Sequence, residues 1–138
     1  LVRKLCPKCT HTKPASKEQI DEWVAEYLHG FNDPALRPSP DALLIDWKTR
    51  FAKNGGLQVH EAHGCDHCDH TGFRGRVGIH ELLQVDREMR RLIQTGARAE
   101  ELQRAAMTAG MRTLRQDGLE KVLAGLTSIE EVRATSNA

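Results

Sequence analysis

The 138-residue sequence has few aromatic side chains and almost no net charge. It contains one Tyr, two Trp and three Phe, so an extensive aromatic core is excluded. Its 20 Lys and Arg residues balance 19 Asp and Glu residues, which gives a formal net charge of +1. Nucleic-acid-binding modules normally carry a basic face that neutralises phosphates, so this balance argues against that class of function. The length allows one ordinary domain, or a small domain with a metal-held appendage.

Long hydrophobic runs are also missing from the sequence. No run approaches the roughly 20 apolar residues that a membrane-spanning helix needs. There is no recognisable signal peptide and no initiator Met, and the chain opens on L-V-R-K-L directly before a cysteine. We therefore expect it to be a piece of a longer protein.

Motifs of known catalytic centres are absent as well. The sequence has no G-x-x-x-x-G-K-[ST] loop for nucleotide phosphates, no G-x-S-x-G elbow and no H-E-x-x-H zinc motif. His80 and Glu81 are adjacent, but neighbours on a strand point to opposite faces and do not act as one acid–base unit. We predict no catalytic centre within this chain.

The sequence does contain four cysteines, arranged as two C-x-x-C pairs: Cys6 with Cys9, and Cys65 with Cys68. A C-x-x-C turn directs two sulfurs at one point, and two such turns supply a closed tetrahedral thiolate site. Such a site favours structural zinc, because four sulfur ligands leave no open position for a reactive water. Iron and a pair of disulfides remain alternatives. The lack of secretory features favours a reducing compartment, in which thiols persist as metal ligands.

Four histidines near the cysteine pairs could each replace a thiolate as a ligand: His11, His63, His67 and His70. Four cysteines already complete a tetrahedral site. We therefore expect the histidine side chains to lie around the ligands or in solvent.

Between the cysteine pairs, the sequence predicts two helices and a short strand. Ser16 and Gln19 form a capping-box signature before an apolar stripe that ends near Gly30. A second amphipathic helix is expected to start near Asp41 and to end at an Asn-Gly-Gly turn. Residues 57–62 alternate between apolar and polar side chains, which predicts a strand that returns to the metal.

After the second cysteine pair, the sequence predicts one strand and then only helices. Three closely spaced glycines are expected to allow sharp bends or a close approach of the backbone to the metal module. The apolar residues of 77–85 indicate a strand. The helices that follow are expected at residues 87–94, at 98–109, from Thr113 to Gly125, and after a capping box formed by Thr127 and Glu130.

The expected fold class is therefore α+β and mostly helical. It combines a four-cysteine zinc module that carries inserted helices, a short β element and a C-terminal helical bundle. We predict two units. Residues 1–84 form the zinc-binding module, with a long helical insertion at residues 10–62 and the returning strand, and residues 85–138 form the helical subdomain.

Three stretches of sequence carry a more specific pattern than the cysteines alone. Residues 1–9 read L-V-R-K-L-C-P-x-C, residues 64–83 read G-C-D-x-C-x-x-T-G-F-R-G-R-V-G-I-H-E-L-L, and residues 110–119 read G-M-R-T-L-R-Q-D-G-L. This combination resembles the C-terminal region of the secretion and pilus-assembly ATPases of the GspE/PilB type. The resemblance covers residues 1–10 and about 62–135.

The resemblance implies a hexameric cytoplasmic ATPase that lies at the inner membrane and powers pseudopilus assembly for type II secretion. Extension of a type IV pilus by the same kind of motor is the alternative. ATP and Mg²⁺ would bind in a part upstream of this chain, and this chain would supply a zinc-stabilised module and the closing helices. The implied partners are neighbouring subunits of a homohexamer and inner-membrane platform proteins, with no nucleic acid.

Four aromatic residues of the inserted helices are candidates for partner contact: Trp23, Tyr27, Trp47 and Phe51. Aromatic side chains are enriched at protein interfaces. The alternative is that they pack the two helices together.

Arg74 and Arg76 are candidates for contact with a nucleotide or an acidic residue across the hexamer. Ordinary surface or intradomain ion pairs are the alternative for both. Two other classes of function also stay open at this point. One is a stand-alone zinc-ribbon module that binds nucleic acid, which the near-zero charge disfavours. The other is a redox protein with cycling C-x-x-C thiols.

Overall fold

The computed structural model describes residues 1–136, which form six α-helices and two small antiparallel sheets. The strands are β1 (Val2–Leu5), β2 (His11–Pro14), β3 (Gln58–Glu61) and β4 (Phe73–Val77). The helices are α1 (Lys17–His29), α2 (Pro40–Phe51), α3 (Arg87–Gln94), α4 (Ala99–Thr108), α5 (Leu114–Leu123) and α6 (Ile129–Thr135). This content confirms the predicted fold class of a mostly helical α+β chain. Within residues 1–136, no helix combines the length and the apolar character that crossing a membrane requires.

The predicted start of α1 is confirmed by its hydrogen bonds. The backbone N–H of Gln19 donates to the hydroxyl of Ser16 at 3.1 Å, and the N–H of Ser16 donates to the Gln19 side chain at 2.9 Å. The reciprocal pair satisfies two backbone donors that the first helical turn leaves without partners.

The predicted capping box of α6 is wrong by one residue. Ser128 is the capping residue, and its hydroxyl accepts from the N–H of Glu131 at 3.3 Å. The hydroxyl of Thr127 instead donates to the carbonyl of Arg3 at 2.7 Å. Thr127 therefore fixes β1 against the turn between α5 and α6, a long-range role that its local sequence does not reveal.

Each sheet joins strands that are far apart in sequence. β1 pairs with β4 in antiparallel register, with Val2 opposite Val77, and β2 pairs with β3, with His11 opposite Glu61. The prediction of a strand over 57–62 is confirmed by β3. The sequence does not predict β1 (V-R-K-L) and β2 (H-T-K-P), because both are only four residues long and neither alternates between apolar and polar side chains.

The predicted strand over 77–85 is wrong. β4 ends at Val77, and residues 78–86 contain no strand. A strand needs a neighbour to supply backbone donors and acceptors, and no other strand among residues 1–136 lies beside this segment.

Contacts with α5 hold the start of that segment. The N–H of His80 donates to the Asp117 carboxylate at 2.8 Å, and the Glu81 carboxylate accepts from the N–H of Leu114 at 3.0 Å. The adjacent His80 and Glu81 thus contact α5 separately. Further along the segment, three aliphatic side chains are strongly exposed: Leu82 (70%), Leu83 (44%) and Val85 (52%).

The hydrophobic core draws on helices from both sides of the second cysteine pair. Trp47 is fully buried at its centre, and Tyr27 meets Trp47 edge to face with ring centroids 5.4 Å apart. α1 and α2 pack in one cluster with Met107 of α4 and with Leu119 of α5. The division into units 1–84 and 85–138 stays a prediction, and the last two residues of the second unit lie outside the described residues.

Gly118, inside α5, is packed too tightly for a side chain. A Cβ atom at this position would lie 2.5 Å from a methyl carbon of Val132, which is fully buried in α6. We expect Gly118→Ala to lower the free energy of unfolding by about 1–2 kcal/mol. Overpacking costs about 1–3 kcal/mol, and the better helix propensity of alanine returns at most about 1 kcal/mol.

Urea denaturation would measure this loss, with Gly56→Ala as the matched control. No atom lies within 4 Å of a Cβ built at Gly56. The control should therefore leave the free energy of unfolding nearly unchanged. Equal stability of the two variants would contradict the packing of α5 on α6.

Candidate metal centre

The two C-x-x-C turns lie between strands of different sheets. Cys6 directly follows β1, and Cys9 precedes β2. Cys65 and Cys68 belong to a short 3₁₀ turn between β3 and β4. Because β1 pairs with β4 and β2 pairs with β3, the sheet pairing brings the two turns together.

The four sulfur atoms form a compact cluster. The Sγ atoms of Cys6 and Cys65, of Cys9 and Cys68, and of Cys65 and Cys68 are each 3.8 Å apart. All four lie within 4.8 Å of one another. A tetrahedron with metal–sulfur bonds of about 2.3 Å has edges of about 3.8 Å. The four cysteines are therefore positioned to bind a metal ion.

The alternative of two disulfides does not match this geometry. All four cysteines are free in the structure, and the sulfur separations of 3.8 Å far exceed the bond length of about 2.05 Å in a disulfide. The arrangement is that of ligands around a common centre.

Backbone N–H groups point at the sulfurs. The N–H of Gly64 donates to Cys9 Sγ at 3.3 Å, and the N–H groups of Cys65 and Gly72 donate to Cys68 Sγ at 3.3 and 3.2 Å. Burial raises the pKa of Cys68, but these two N–H groups and the neighbouring thiols outweigh it and lower its pKa to about 6. At Cys9 burial outweighs the N–H of Gly64 and raises the pKa to about 11, so the backbone contacts favour the thiolate most clearly at Cys68.

Two glycines allow the turns to adopt this conformation. Gly72 has a φ of +85°, and a Cβ there would lie 2.6 Å from the Cβ of Ala62. Gly64 has a φ of +122°, and its Cβ would lie 2.9 Å from the carbonyl oxygen of His70. Residues with side chains rarely adopt such φ values, and here they would also collide with neighbouring atoms. Of the three glycines expected to allow sharp bends or a close approach, Gly72 shows both, whereas Gly64 precedes the second cysteine pair and is not among them.

Among residues 1–136, no histidine joins the cluster of ligand atoms. The rings of His11 and His63 stack on each other with centroids 4.2 Å apart. His70 contacts the carboxylate of Asp66 at 3.0 Å in solvent, and His67 is half-buried within its turn. The histidines therefore surround the sulfurs without replacing any of them.

A site with four thiolates holds structure and leaves no position for a substrate. Cys6 and Cys68 are buried, and the other two cysteines are partly exposed. A bound ion would join β1 to β4 and β2 to β3 at one point, and its binding energy would stabilise the folded chain.

The two arginine candidates lie on the exposed side of β4. Arg74 donates to the carbonyl of His67 at 2.8 Å. Arg76 is opposite Arg3 of β1 in the strand register and is exposed. Within the described part of the chain, neither forms an ion pair. Their contact with a nucleotide or an acidic residue stays a prediction.

The four aromatic candidates belong to the interior of the chain. Trp23, Tyr27 and Trp47 are buried in the core, and Phe51 is half-buried next to it. Their packing joins α1 and α2, which agrees with the alternative that these residues pack the two helices together. A role in contacting a partner stays a prediction for all four.

No sequence pattern singles out Lys4 and Lys53, which the structure places with Arg74 along one groove. The three residues belong to separate segments, and only the pairing of β1 with β4 and of β2 with β3 brings those segments together.

The family model described as Type II/IV secretion system protein matches residues 1–134. The chain belongs to this family. The match includes both cysteine pairs, the inserted helices and almost all of the C-terminal helices, and it bears out the resemblance to the GspE/PilB-type ATPases.

Curated relatives include ATPases of both secretion and pilus systems. The chain is 48% identical over 99 residues to the type IV pilus assembly ATPase PilB of Thermus thermophilus, covering 72% of this chain and 11% of that protein. It is 38% identical over 132 residues to the type II secretion system ATPase E of Vibrio cholerae, covering 96% of this chain and 21% of that protein. The type II secretion system protein HxcR of Pseudomonas aeruginosa is 43% identical over 90 residues, which cover 64% of this chain and 19% of that protein. The chain thus spans between about a tenth and a fifth of these relatives.

Proposed function

We propose that this chain is the C-terminal, zinc-stabilised part of a hexameric ATPase that powers type II secretion through pseudopilus assembly. The match of the family model to residues 1–134 carries the proposal, and the 132-residue similarity to the Vibrio cholerae secretion ATPase supports it. The alternative is the same region of a type IV pilus extension ATPase. The 48% identity to the Thermus thermophilus pilus ATPase favours that alternative.

Zinc is the proposed ion because of the donor set. Four thiolates at the corners of a tetrahedron suit zinc, which has no geometric preference of its own and commonly takes this ligand set in structural sites. The ion would act only on structure, as a link between the two sheets.

Nucleotide chemistry belongs to the part of such an ATPase that lies outside this chain. The sequence contains no phosphate-binding G-x-x-x-x-G-K-[ST] loop. ATP and Mg²⁺ would bind in an upstream part, where Mg²⁺ would neutralise the phosphate charge during hydrolysis. The chain would contribute to the hexamer through contacts with neighbouring subunits and with inner-membrane platform proteins. It would be cytoplasmic and peripheral to that membrane.

The segment after β4 is the proposed connection to the ATP-binding part. Within residues 1–136, the only backbone N–H of residues 79–85 with a hydrogen bond is that of His80, which donates to Asp117. Leu82 and Val85 are exposed along the same segment. Backbone donors without partners beside exposed aliphatic side chains are typical of a segment that pairs with another stretch of polypeptide.

An exchange of regions tests the function. In the Vibrio cholerae ATPase, this chain would replace the stretch that aligns with it. Secretion would then be measured in Vibrio cholerae cells that carry the chimera as their only copy of this ATPase. We expect the chimera to restore a large part of secretion, because the chain would supply an equivalent module. A parallel chimera in the Thermus thermophilus ATPase would report on pilus assembly.

A chimera that carries Cys6→Ser and Cys65→Ser is the control in both hosts, because it removes two of the four ligands. Secretion restored by the unmodified chimera alone would support the main proposal. Pilus assembly restored without secretion would favour the alternative. Folded, metal-containing chimeras that restore neither activity would contradict both proposals.

A further inference from the structure

A groove with positively charged walls runs alongside the metal centre. It has a volume of about 660 Å³ and lies between the first cysteine turn, β4, the turn after α2 and the turn between α5 and α6. Its three charged side chains are Lys4, Lys53 and Arg74. No Asp or Glu among the described residues lines it, although the whole chain contains almost equal numbers of acidic and basic residues.

The three cations have no carboxylate partners in the described part of the chain. Lys4, Lys53 and Arg74 form no ion pair there, and all three are exposed. His60 on the groove wall adds no full charge near neutral pH, because burial and the nearby Lys53 lower its pKa. Like charges placed together without compensation raise the local positive potential and attract an anionic group.

The negative charge of a four-thiolate zinc site does not account for the whole groove. Lys4 and Arg74 lie close to the cysteine turns in sequence. Lys53 instead lies between α2 and β3, next to the end of β3 that pairs with Pro14. The opposite end of β3, at Glu61, is the one that leads to Cys65. The groove therefore extends from the cysteine turns to Lys53, which lies outside both turns.

We propose that this groove binds an acidic segment of a partner protein. Its lining combines the three cations with apolar side chains, including Pro7 and Leu126. A peptide that carries both carboxylates and aliphatic residues matches this combination of charge and apolar surface. Single-stranded nucleic acid is a poorer match, because Phe, Tyr and Trp are absent from the described lining and the net charge is only +1. The inference goes beyond the proposed ATPase function and does not depend on nucleotide hydrolysis.

A binding titration with a defined peptide tests the groove. The probe is a fluorescein-labelled peptide with the sequence Glu-Leu-Glu-Glu-Leu-Glu-Glu, and the protein is the purified, metal-loaded chain. We expect binding that weakens as salt concentration rises, and no binding of a peptide in which every Glu is Gln. The double variant Lys4→Glu and Arg74→Glu should weaken binding at least tenfold, because it replaces two attractive charges by repulsive ones.

A variant with the same change in net charge elsewhere is the control. Lys17 in α1 and Lys48 in α2 are exposed and do not line the groove. The double variant Lys17→Glu and Lys48→Glu should keep most of the affinity, and metal content and circular dichroism should show that both variants are folded. Equal weakening in both variants would overturn the proposal, because it would show a general charge effect.

Competing occupants give distinct results. Binding of vesicles with anionic phospholipids, or of inorganic phosphate, without binding of the acidic peptide would overturn the assignment to a protein segment. Self-association of the chain that Lys4→Glu with Arg74→Glu abolishes would assign the groove to a second copy and would overturn the assignment to a different partner. Sedimentation at several protein concentrations distinguishes this case.

Discussion

Cys65→Ser is expected to abolish stable metal binding and to unfold the part of the chain around the two sheets. The wild-type chain should contain one zinc ion per molecule, and the variant should contain almost none. Structural zinc contributes on the order of 10–16 kcal/mol of apparent binding free energy in zinc-finger peptides, and this energy is largely folding energy. Elemental analysis would measure the metal, and circular dichroism with thermal unfolding would measure the structure.

The expected effect is large because both sheets are small, even though Thr127 also holds β1 against the turn between α5 and α6. Within residues 1–136 each sheet has two strands, and an isolated two-stranded sheet is at best marginally stable in water. Cys65 lies within 3.8 Å of two other sulfurs, Cys6 and Cys68, so its loss opens the site directly. The two cysteine turns would then be free to separate from each other.

His70→Ala is the matched control for the metal prediction. His70 lies two residues after the second cysteine pair, and its ring contacts only the exposed carboxylate of Asp66 among the polar groups of the described residues. We expect the variant to keep its zinc and its thermal stability. A Cys65→Ser chain that stays fully folded without metal would contradict the structural role of the site. Stoichiometric iron in the wild-type chain would contradict the assignment of zinc.

Trp47→Ala is expected to lower the free energy of unfolding by about 3–5 kcal/mol, as large aromatic-to-alanine changes do in protein cores. Trp47 is fully buried among residues of α1, α2 and α5, and Tyr27 packs against its ring. Its indole N–H has no acceptor within residues 1–136, so packing alone determines the cost. Urea denaturation followed by circular dichroism would measure the change.

Ile45→Ala is the control on the same helix. Ile45 is 67% exposed, so its truncation removes little buried surface and should change the free energy of unfolding by at most about 0.5 kcal/mol. Similar stability of the Trp47 and Ile45 variants would contradict the packed core. If Trp47→Ala stayed stable but failed to join a hexamer in the chimeric ATPase, the prediction of a partner contact would gain support.

The local signals of the sequence predicted most of the helices. Ser16 and Gln19 predicted the start of α1, because a capping box depends on residues only three positions apart. The cysteine spacing likewise predicted a four-sulfur site, because a C-x-x-C turn places two sulfurs together within four residues. Both signals depend on neighbours in sequence, and both are present in the printed chain.

Strand pairing could not be predicted in the same way. β1 and β2 are short, and their partners lie roughly fifty to seventy residues away, so their own residues carry no pattern that identifies them. Residues 77–85 have the apolar content of a strand, yet in the described chain only Val77 has a strand partner, Val2 of β1. A strand is defined by its partner as much as by its own sequence.

The printed residues alone predicted a cluster of four cysteines that can bind a metal ion, the positions of most helices and the membership of the Type II/IV secretion system family. Each of these follows from residues within a few positions of one another or from continuous motifs. Packing of the folded chain is what makes Thr127 fix β1, places Gly118 against Val132 and gathers Lys4, Lys53 and Arg74 in a groove whose described lining has no carboxylate. These contacts join different elements, and they exist only once the two sheets and the helices have packed together.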